Sequence, residues 1–249
     1  MIVSKYNANG NDFVIFHTFV SADRNELAAR LCDRYNGIGA DGLIVLKPSK
    51  DTNEIVWEFY NSDGSHADMC GNGSRAAAQY AVDNQLCTNV FDLVTGSGIV
   101  SVNVSKDGVE VELTSPKILS NKPIDEFGKI WHFYDTGVPH LVSFVSDLNE
   151  FDIQTCRDLR YKYNANVNLA KLENNTIYVR TYERGVENET LACGTGMAAC
   201  FYGAVLNFNA SKCCKVYPKS GDELGLRLEN GKIFFKGKVK HCFDAYIDV

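Results

Sequence analysis

Apolar and polar positions divide the chain into many short segments, most with the composition of strands. Residues 2–5 and 13–17 are rich in β-branched and aromatic side chains, as strands are. Between them Asn7-Ala8-Asn9-Gly10-Asn11-Asp12 forms a turn cluster. The period then changes over 21–35, where Leu27, Arg30, Leu31 and Arg34 fall at helical spacing and Ser21 or Asp23 is placed to cap. Leu43-Ile44-Val45-Leu46 reads as a strand, and over 55–61 Ile55, Trp57 and Phe59 alternate with Val56, Glu58 and Tyr60. A helix is expected over 71–84 and strands over 90–94, 98–104 and 108–113, the last two joined at Lys106-Asp107-Gly108.

Near mid-chain, Ser115-Pro116-Lys117 and Ser120-Asn121-Lys122-Pro123 read as a hinge or linker. The second half then follows the same plan. Strands are expected at 130–134, 141–145, 166–170 and 176–182, with a short helix over 152–161 and a helix that follows the second Cys-Gly-x-Gly to about 207. Strands near 212–217, 224–229, 232–237 and 243–248 complete it, with Glu229-Asn230-Gly231 as a hairpin signal. Local matches link the halves: Gly10 with Gly137, Gly39–Leu43 with Ala165–Leu169, Tyr60-Asn61 with Tyr182-Glu183, and Cys70 with Cys193, at offsets of 127, 126, 122 and 123. Ordered matches at nearly constant offset indicate duplication of one α+β unit. The expected division is 1–116 and 117–239, with the closing strand, about 240–249, a candidate to pack back onto the first domain.

A net charge of −6 and a pI near 5.4 disfavour a nucleic-acid binder, which usually carries a basic patch. The first residues show no basic-then-apolar leader, and no apolar run approaches a membrane span, so the expected compartment is the cytoplasm. The nine cysteines form no Cys-x-x-Cys pair, and the adjacent Cys213 and Cys214 lack a spaced histidine partner; reduced thiols are expected, and no metal. Gly37-Ile38-Gly39-Ala40-Asp41-Gly42 spells a dinucleotide fingerprint. Its order is reversed, however, with a helix before it and a strand after, so it reads as a turn.

The chemistry concentrates in Met69-Cys70-Gly71-Asn72-Gly73 and Ala192-Cys193-Gly194-Thr195-Gly196, each running into an alanine-rich helix. Helix starts expose unpaired amides and partial positive charge. A cysteine there is expected to have a lowered pKa, and the free amides suit a carboxylate. Two such starts facing one cleft would hold one carboxylate, with a thiol on each face of the adjacent carbon. That suits proton removal from one face and delivery to the other, with the amides stabilising the charge that develops. The residues demand no cofactor. The other seven cysteines read as small buried hydrophobes.

With these motifs the chain resembles the diaminopimelate epimerase family over nearly its whole length. Lys5 to Phe13 resembles the family's opening motif. Asn61-Ser62-Asp63-Gly64-Ser65 with Met69 to Arg75 resembles its first cysteine motif, and Tyr182 to Gly185 with Glu189 to Gly196 its second. The resemblance implies an α+β fold of two pseudo-symmetric domains, each a barrel-like, mostly antiparallel sheet around a central helix, usually in a homodimer. It implies interconversion of LL- and meso-diaminopimelate, on the route to lysine and the cell wall, with Cys70 and Cys193 as acid and base. Gly71, Asn72, Gly194 and Thr195 would hold the reacting carboxylate. Asn11, Asn61, Asn166 and Arg184 would bind elsewhere along the substrate, Glu183 would meet an ammonium, and His140 would support the amine. Two positions depart from the pattern: Val138 replaces an asparagine found in some members and Gly42 a glutamine, which removes two polar side chains.

Two alternatives stand beside this reading. A proline or hydroxyproline racemase on the same fold would need no determinant for a second carboxylate. A thiol redox protein would use Cys70 and Cys193 as a reversible disulfide and would exchange no α-proton with solvent.

Overall fold

The computed structural model describes residues 1–248. In chain order the elements are β1 (Ile2–Ala8), β2 (Asn11–His17), α1 (Asn25–Cys32), β3 (Gly42–Pro48), β4 (Glu54–Asn61), α2 (Gly71–Asp83), β5 (Val90–Thr95), β6 (Gly98–Ser105) and β7 (Gly108–Glu112). There follow β8 (Lys117–Glu126), β9 (Lys129–Asp135), β10 (Pro139–Phe144), α3 (Ile153–Tyr163), β11 (Asn166–Glu173), β12 (Thr176–Glu183) and β13 (Asn188–Thr190). The chain ends with α4 (Gly194–Phe208), β14 (Cys213–Tyr217), β15 (Leu224–Glu229), β16 (Lys232–Gly237) and β17 (Lys240–Tyr246).

The chain divides into two compact units, Met1–Val111 joined by the segment from Gly237 onward, and Glu112–Lys236. In the first unit the strand order is β17-β1-β2-β3-β4-β5-β6-β7. In the second it is β8-β9-β10-β11-β12-β14-β15-β16, with the short β13 also paired to β12. The two orders have the same senses. The third and fifth pairings are parallel (β2–β3 and β4–β5; β10–β11 and β12–β14), and the others are antiparallel. Each parallel step is bridged by a helix, as parallel strands require. The architecture is therefore α+β, one plan used twice, with β17 in the first unit taking the place that β8 takes in the second.

Strand alternation sets the layers. In β3, Leu43 and Val45 pack in the cluster with Leu31 of α1, while Ile44 lies against Gly73 of α2. In β11, Val167 and Leu169 pack with Leu159 of α3, while Asn168 lies against Gly196 of α4. Each sheet thus buries one face under an outer helix and wraps the other around a central one. The central helices carry small residues, so the sheet approaches closely: Ala76, Ala77, Ala78 and Ala81 in α2, and Ala198, Ala199 and Ala204 in α4, are all inaccessible. Burying each larger apolar side chain contributes roughly 1.5–3 kcal/mol.

Most differences from the expected elements follow from tertiary bonding. The expected linker is β8, a strand of ten residues whose register against β9 shifts at Ile118/Ser120 and Ser120/Ile124. Proline lacks an N–H, and an edge strand absorbs Pro123 as an irregularity. The helix expected over 21–35 is only Asn25–Cys32. Before it, Arg24 is drawn inward to Glu58 at 2.9 Å and to the Val20 and Ala22 carbonyls. After it, Asp33 accepts the Tyr35 and Asn36 amides and closes a turn. Asp23 accepts the Asn25 amide, whereas Arg24, the N-cap, has no capping side chain. The turn expected over 7–12 shrinks to Asn9-Gly10, both with positive φ, a two-residue hairpin. The ladders also move one repeat match. Gly42 pairs with Phe13, and Asn166 with His140, so Gly42 corresponds to Asn166 rather than to Asn168.

Candidate active site

In the first unit Cys70 is the N-cap of α2, with extended backbone, and its Sγ accepts the Gly73 amide at 3.3 Å. A buried arginine organises the surroundings. Arg75 donates to Asn72 Oδ1 at 2.5 Å and to Asn9 Oδ1 at 2.7 Å. A guanidinium can only donate, so Asn72 turns its oxygen to Arg75 and its amide nitrogen to Asn11 Oδ1, at 3.4 Å. Asn11 in turn presents Oδ1 to the Cys70 thiol at 3.8 Å and gives its Nδ2 to Asp41 at 2.6 Å. Asp41 also receives Arg34 at 2.7 Å. This relay fixes both asparagine amides beside the sulfur. Asn61, at the end of β4, is exposed and donates to Ser65 Oγ at 3.0 Å; it is not bonded to the relay.

In the second unit Cys193 is the N-cap of α4 but is buried, at 8% exposure. Burial pushes its thiol up to about 12, and the adjacent Glu183 carboxylate adds to the effect; the Thr195 hydroxyl, 3.5 Å from Sγ, and the helix-start amides oppose it. The expectation of a lowered pKa is therefore reversed for Cys193, because desolvation outweighs the helix start. Glu183 accepts the Thr190 hydroxyl at 2.8 Å, and burial raises its own pKa, with Thr190 and Cys193 opposing. The Thr195 carbonyl accepts Thr136 Oγ1 at 2.8 Å, which ties the loop before β10 to the helix start.

Behind this start lies a polar floor. His140, inaccessible on β10, has Nδ1 3.0 Å from Asn168 Nδ2 and Nε2 3.5 Å from Asn166 Nδ2. Burial holds the imidazole down to about 3; the Asn168 side-chain contact opposes this shift and the nearby Arg184 charge adds to it. Asn166 Oδ1 accepts the Arg184 amide at 2.8 Å, and the Arg184 guanidinium reaches the Asn164 carbonyl at 2.9 Å. Asn168 Oδ1 accepts Thr181 Oγ1 at 2.9 Å.

Each unit thus gathers most of the residues expected for it. Cys70, Gly71, Asn72 and Asn11 form one group. Cys193, Gly194, Thr195 and Glu183 form another, and His140, Asn166 and Arg184 connect through Asn166. Gly42 has no room for a larger side chain: a Cβ there would lie 2.6 Å from the Phe59 ring and 2.7 Å from the Tyr60 carbonyl. Val138, half-buried, contributes its carbonyl to the Thr136 amide at 3.3 Å. Sequence reasoning missed Arg75, Asp41, Asn168 and Thr181. For Asn168 a signal existed, since Asn166 and Asn168 alternate with the apolar Val167 and Leu169 at the start of the strand. Among the described residues no group of three or more His, Cys, Asp or Glu is placed to hold a metal ion.

The fold is duplicated, with a cysteine at the N-cap of each central helix, and the relatives of the chain make it an isomerase of the epimerase class. The sequence profile for diaminopimelate epimerase matches residues 3–119 and 132–241, and the chain belongs to the diaminopimelate epimerase family. A relative from a Nitratiruptor species, named diaminopimelate epimerase, is 56% identical over 249 residues, covering 99% of this chain and 98% of its own. Two solved structures share the fold at low identity. A Bacillus anthracis phenazine biosynthesis protein of the PhzF family has a TM-score of 0.75 at 13% identity, covering 100% of this chain and 99% of its own. A probable proline racemase from Agrobacterium radiobacter has a TM-score of 0.75 at 12% identity, covering 100% and 93%.

Proposed function

We propose that the protein interconverts LL-2,6-diaminopimelate and meso-2,6-diaminopimelate by a two-base mechanism in which Cys70 and Cys193 exchange the α-proton. The observation that carries this reading is the thiol at the N-cap of the central helix in both units of a fold whose strand order is duplicated. Epimerisation needs a base and an acid acting on opposite faces of one carbon, and each unit supplies one thiol. At neutral pH Cys193 keeps its proton, the form required for delivery.

The amides at Gly71, Asn72, Gly194 and Thr195 would receive the carboxylate at the reacting carbon, where negative charge builds as the proton leaves. Arg184, with Asn11, Asn61 and Asn166, would bind along the substrate to its distal carboxylate, which a guanidinium fork suits. Glu183 would meet an ammonium, and His140 supports that side of the site. These side chains supply acid, base and charge stabilisation by themselves, so the scheme uses no cofactor. A cytoplasmic homodimer supplying lysine and peptidoglycan precursors fits this activity. No helix among the described residues is long and apolar enough to cross a membrane.

The test is incubation of the reduced protein with LL-diaminopimelate in deuterated water. Meso product carrying deuterium at the inverted carbon is expected; absence of both product and exchange overturns the proposal. The proline-racemase reading is disfavoured by sequence, since that neighbour shares 12% identity against 56% for the diaminopimelate epimerase relative. Turnover of proline but not diaminopimelate would reinstate it.

A further inference from the structure

Asn168, inaccessible on β11, belongs to none of the substrate contacts proposed above, yet its amide is fully engaged. Its Nδ2 donates to the Leu141 carbonyl at 2.9 Å and lies 3.0 Å from His140 Nδ1; its Oδ1 accepts Thr181 Oγ1 at 2.9 Å. A backbone carbonyl only accepts, so the amide nitrogen has to face Leu141. The second N–H of that nitrogen then points at Nδ1, which carries a lone pair. In a neutral imidazole the proton is left on Nε2. Asn166 is fixed just as firmly: its Oδ1 accepts the Arg184 amide, and its Nδ2 donates to the Pro139 carbonyl at 3.3 Å. It therefore shows His140 Nε2 an N–H as well, but at 3.5 Å, against 3.0 Å for the Asn168 contact with Nδ1, and the shorter contact favours the lone pair on Nδ1.

We propose that Asn168 is a positioning residue that, braced by Thr181, holds His140 as the neutral Nε2–H tautomer, so that the ring and the Asn166 amide form paired donors for an acceptor atom. The ring then offers no lone pair to a substrate ammonium, and contact with that group stays with Glu183; this consequence rests on the proposed epimerase reading, whereas the tautomer does not. The first unit lacks the device. Ile44 and Trp57 lie against Gly73 in the first turn of α2, where Asn168 and Thr181 lie against Gly196 in α4. The polar floor is thus a property of the Cys193 side alone.

The experiment is two-bond proton–nitrogen NMR on the whole protein with 15N-labelled histidine, which distinguishes the two neutral tautomers and the imidazolium. The chain has five histidines, and the His140 signals are those missing from His140→Gln. In the unsubstituted protein at pH 7, Nδ1 is expected to be bare and Nε2 protonated. Asn168→Asp replaces the donor with an acceptor and is expected to move the proton to Nδ1 or to give the imidazolium. A bare Nε2 in the unsubstituted protein, or an unchanged tautomer in Asn168→Asp, overturns the assignment. If Asn168→Asp does not fold, the unsubstituted spectrum alone decides. In folded Asn168→Asp a fall in kcat of at least tenfold is expected while KM changes less; unchanged kcat with a switched tautomer overturns the positioning role. Absence of activity in the unsubstituted protein would instead overturn the epimerase reading and leave the NMR result standing.

Discussion

Gly196 lies directly against Asn168: a Cβ at Gly196 would stand 2.5 Å from Asn168 Oδ1, 3.0 Å from Thr181 Oγ1 and 3.4 Å from Cys193 Sγ. The second glycine of the Cys-Gly-x-Gly motif is therefore a packing requirement of the polar floor. Gly196→Ala should destabilise the protein by about 1–3 kcal/mol, as overpacking does, despite the better helix propensity of alanine. Gly194→Ala is the control, since its Cβ would meet only the Phe235 ring, at 3.6 Å and beyond; it should be neutral or stabilising by up to about 1 kcal/mol. Urea unfolding of both variants checks this, and equal stabilities would contradict the packing assigned to Asn168.

Removing either proposed acid–base group should stop turnover without unfolding the chain. Cys70→Ala and Cys193→Ala are each expected to lower kcat by about 10²–10⁴-fold or more, the usual contribution of a positioned proton-transfer group. Circular dichroism and thermal melting would confirm that each variant remains folded. Activity above a tenth of normal in either would rule out the two-thiol scheme.

Cys193 should also be slow to alkylate. Its thiol is raised to about 12 by burial, so the thiolate fraction at pH 8 is on the order of 10⁻⁴. Its reaction with iodoacetamide, followed by peptide mass mapping, should rise about tenfold per pH unit between 8 and 10, because the thiolate is the nucleophile. The exposed Cys213 and Cys242 should react first. A rate for Cys193 that has already levelled off near pH 7 would show a lowered pKa, as the helix start alone predicts.

That contrast marks where sequence reading stops. The two thiols, their helices and the duplicated plan were legible because Cys-Gly-x-Gly and strand periodicity are local signals. The sign of the Cys193 shift was not, because it depends on how deeply α4 is buried and on Glu183 from a separate strand. Arg75 followed the first motif in plain view, but its bond to Asn9 exists only once the β1–β2 turn meets the helix start. The strand β8 was hidden for a different reason: serine and proline mark turns locally, and only pairing with β9 makes them an irregular edge.

His140 should impose a pH dependence on stability. Its folded-state pKa is lowered from 6.5 to about 3, so between those values the unfolded chain binds a proton that the folded chain does not. Stability therefore rises with pH through this window: the contribution is complete above 6.5 and is lost progressively as pH falls toward 3. Carboxylates titrate in the same range, so the comparison is with His140→Gln. Urea unfolding at intervals from about pH 4 to pH 7 should show a shallower slope in the variant, by close to one proton per molecule. Parallel curves would mean that His140 titrates normally, and the buried neutral ring would be wrong.

Arg184 tests the substrate assignment. Its backbone amide is anchored to Asn166 Oδ1 and its guanidinium to the Asn164 carbonyl, so the side chain is already oriented before a ligand arrives. A lysine keeps the charge but not the fork, and the two are not interchangeable at a bidentate site. Arg184→Lys is expected to raise KM for diaminopimelate about 10–100-fold, corresponding to loss of roughly 1.4–2.8 kcal/mol of binding. kcat should change less, because the distal carboxylate is remote from the reacting carbon. Arg184→Ala should be worse, and an analogue lacking the distal carboxylate should bind the lysine variant and the unsubstituted protein equally. If Arg184→Lys instead lowered kcat and left KM unchanged, the arginine would act at the reacting centre and the distal assignment would have to be given up.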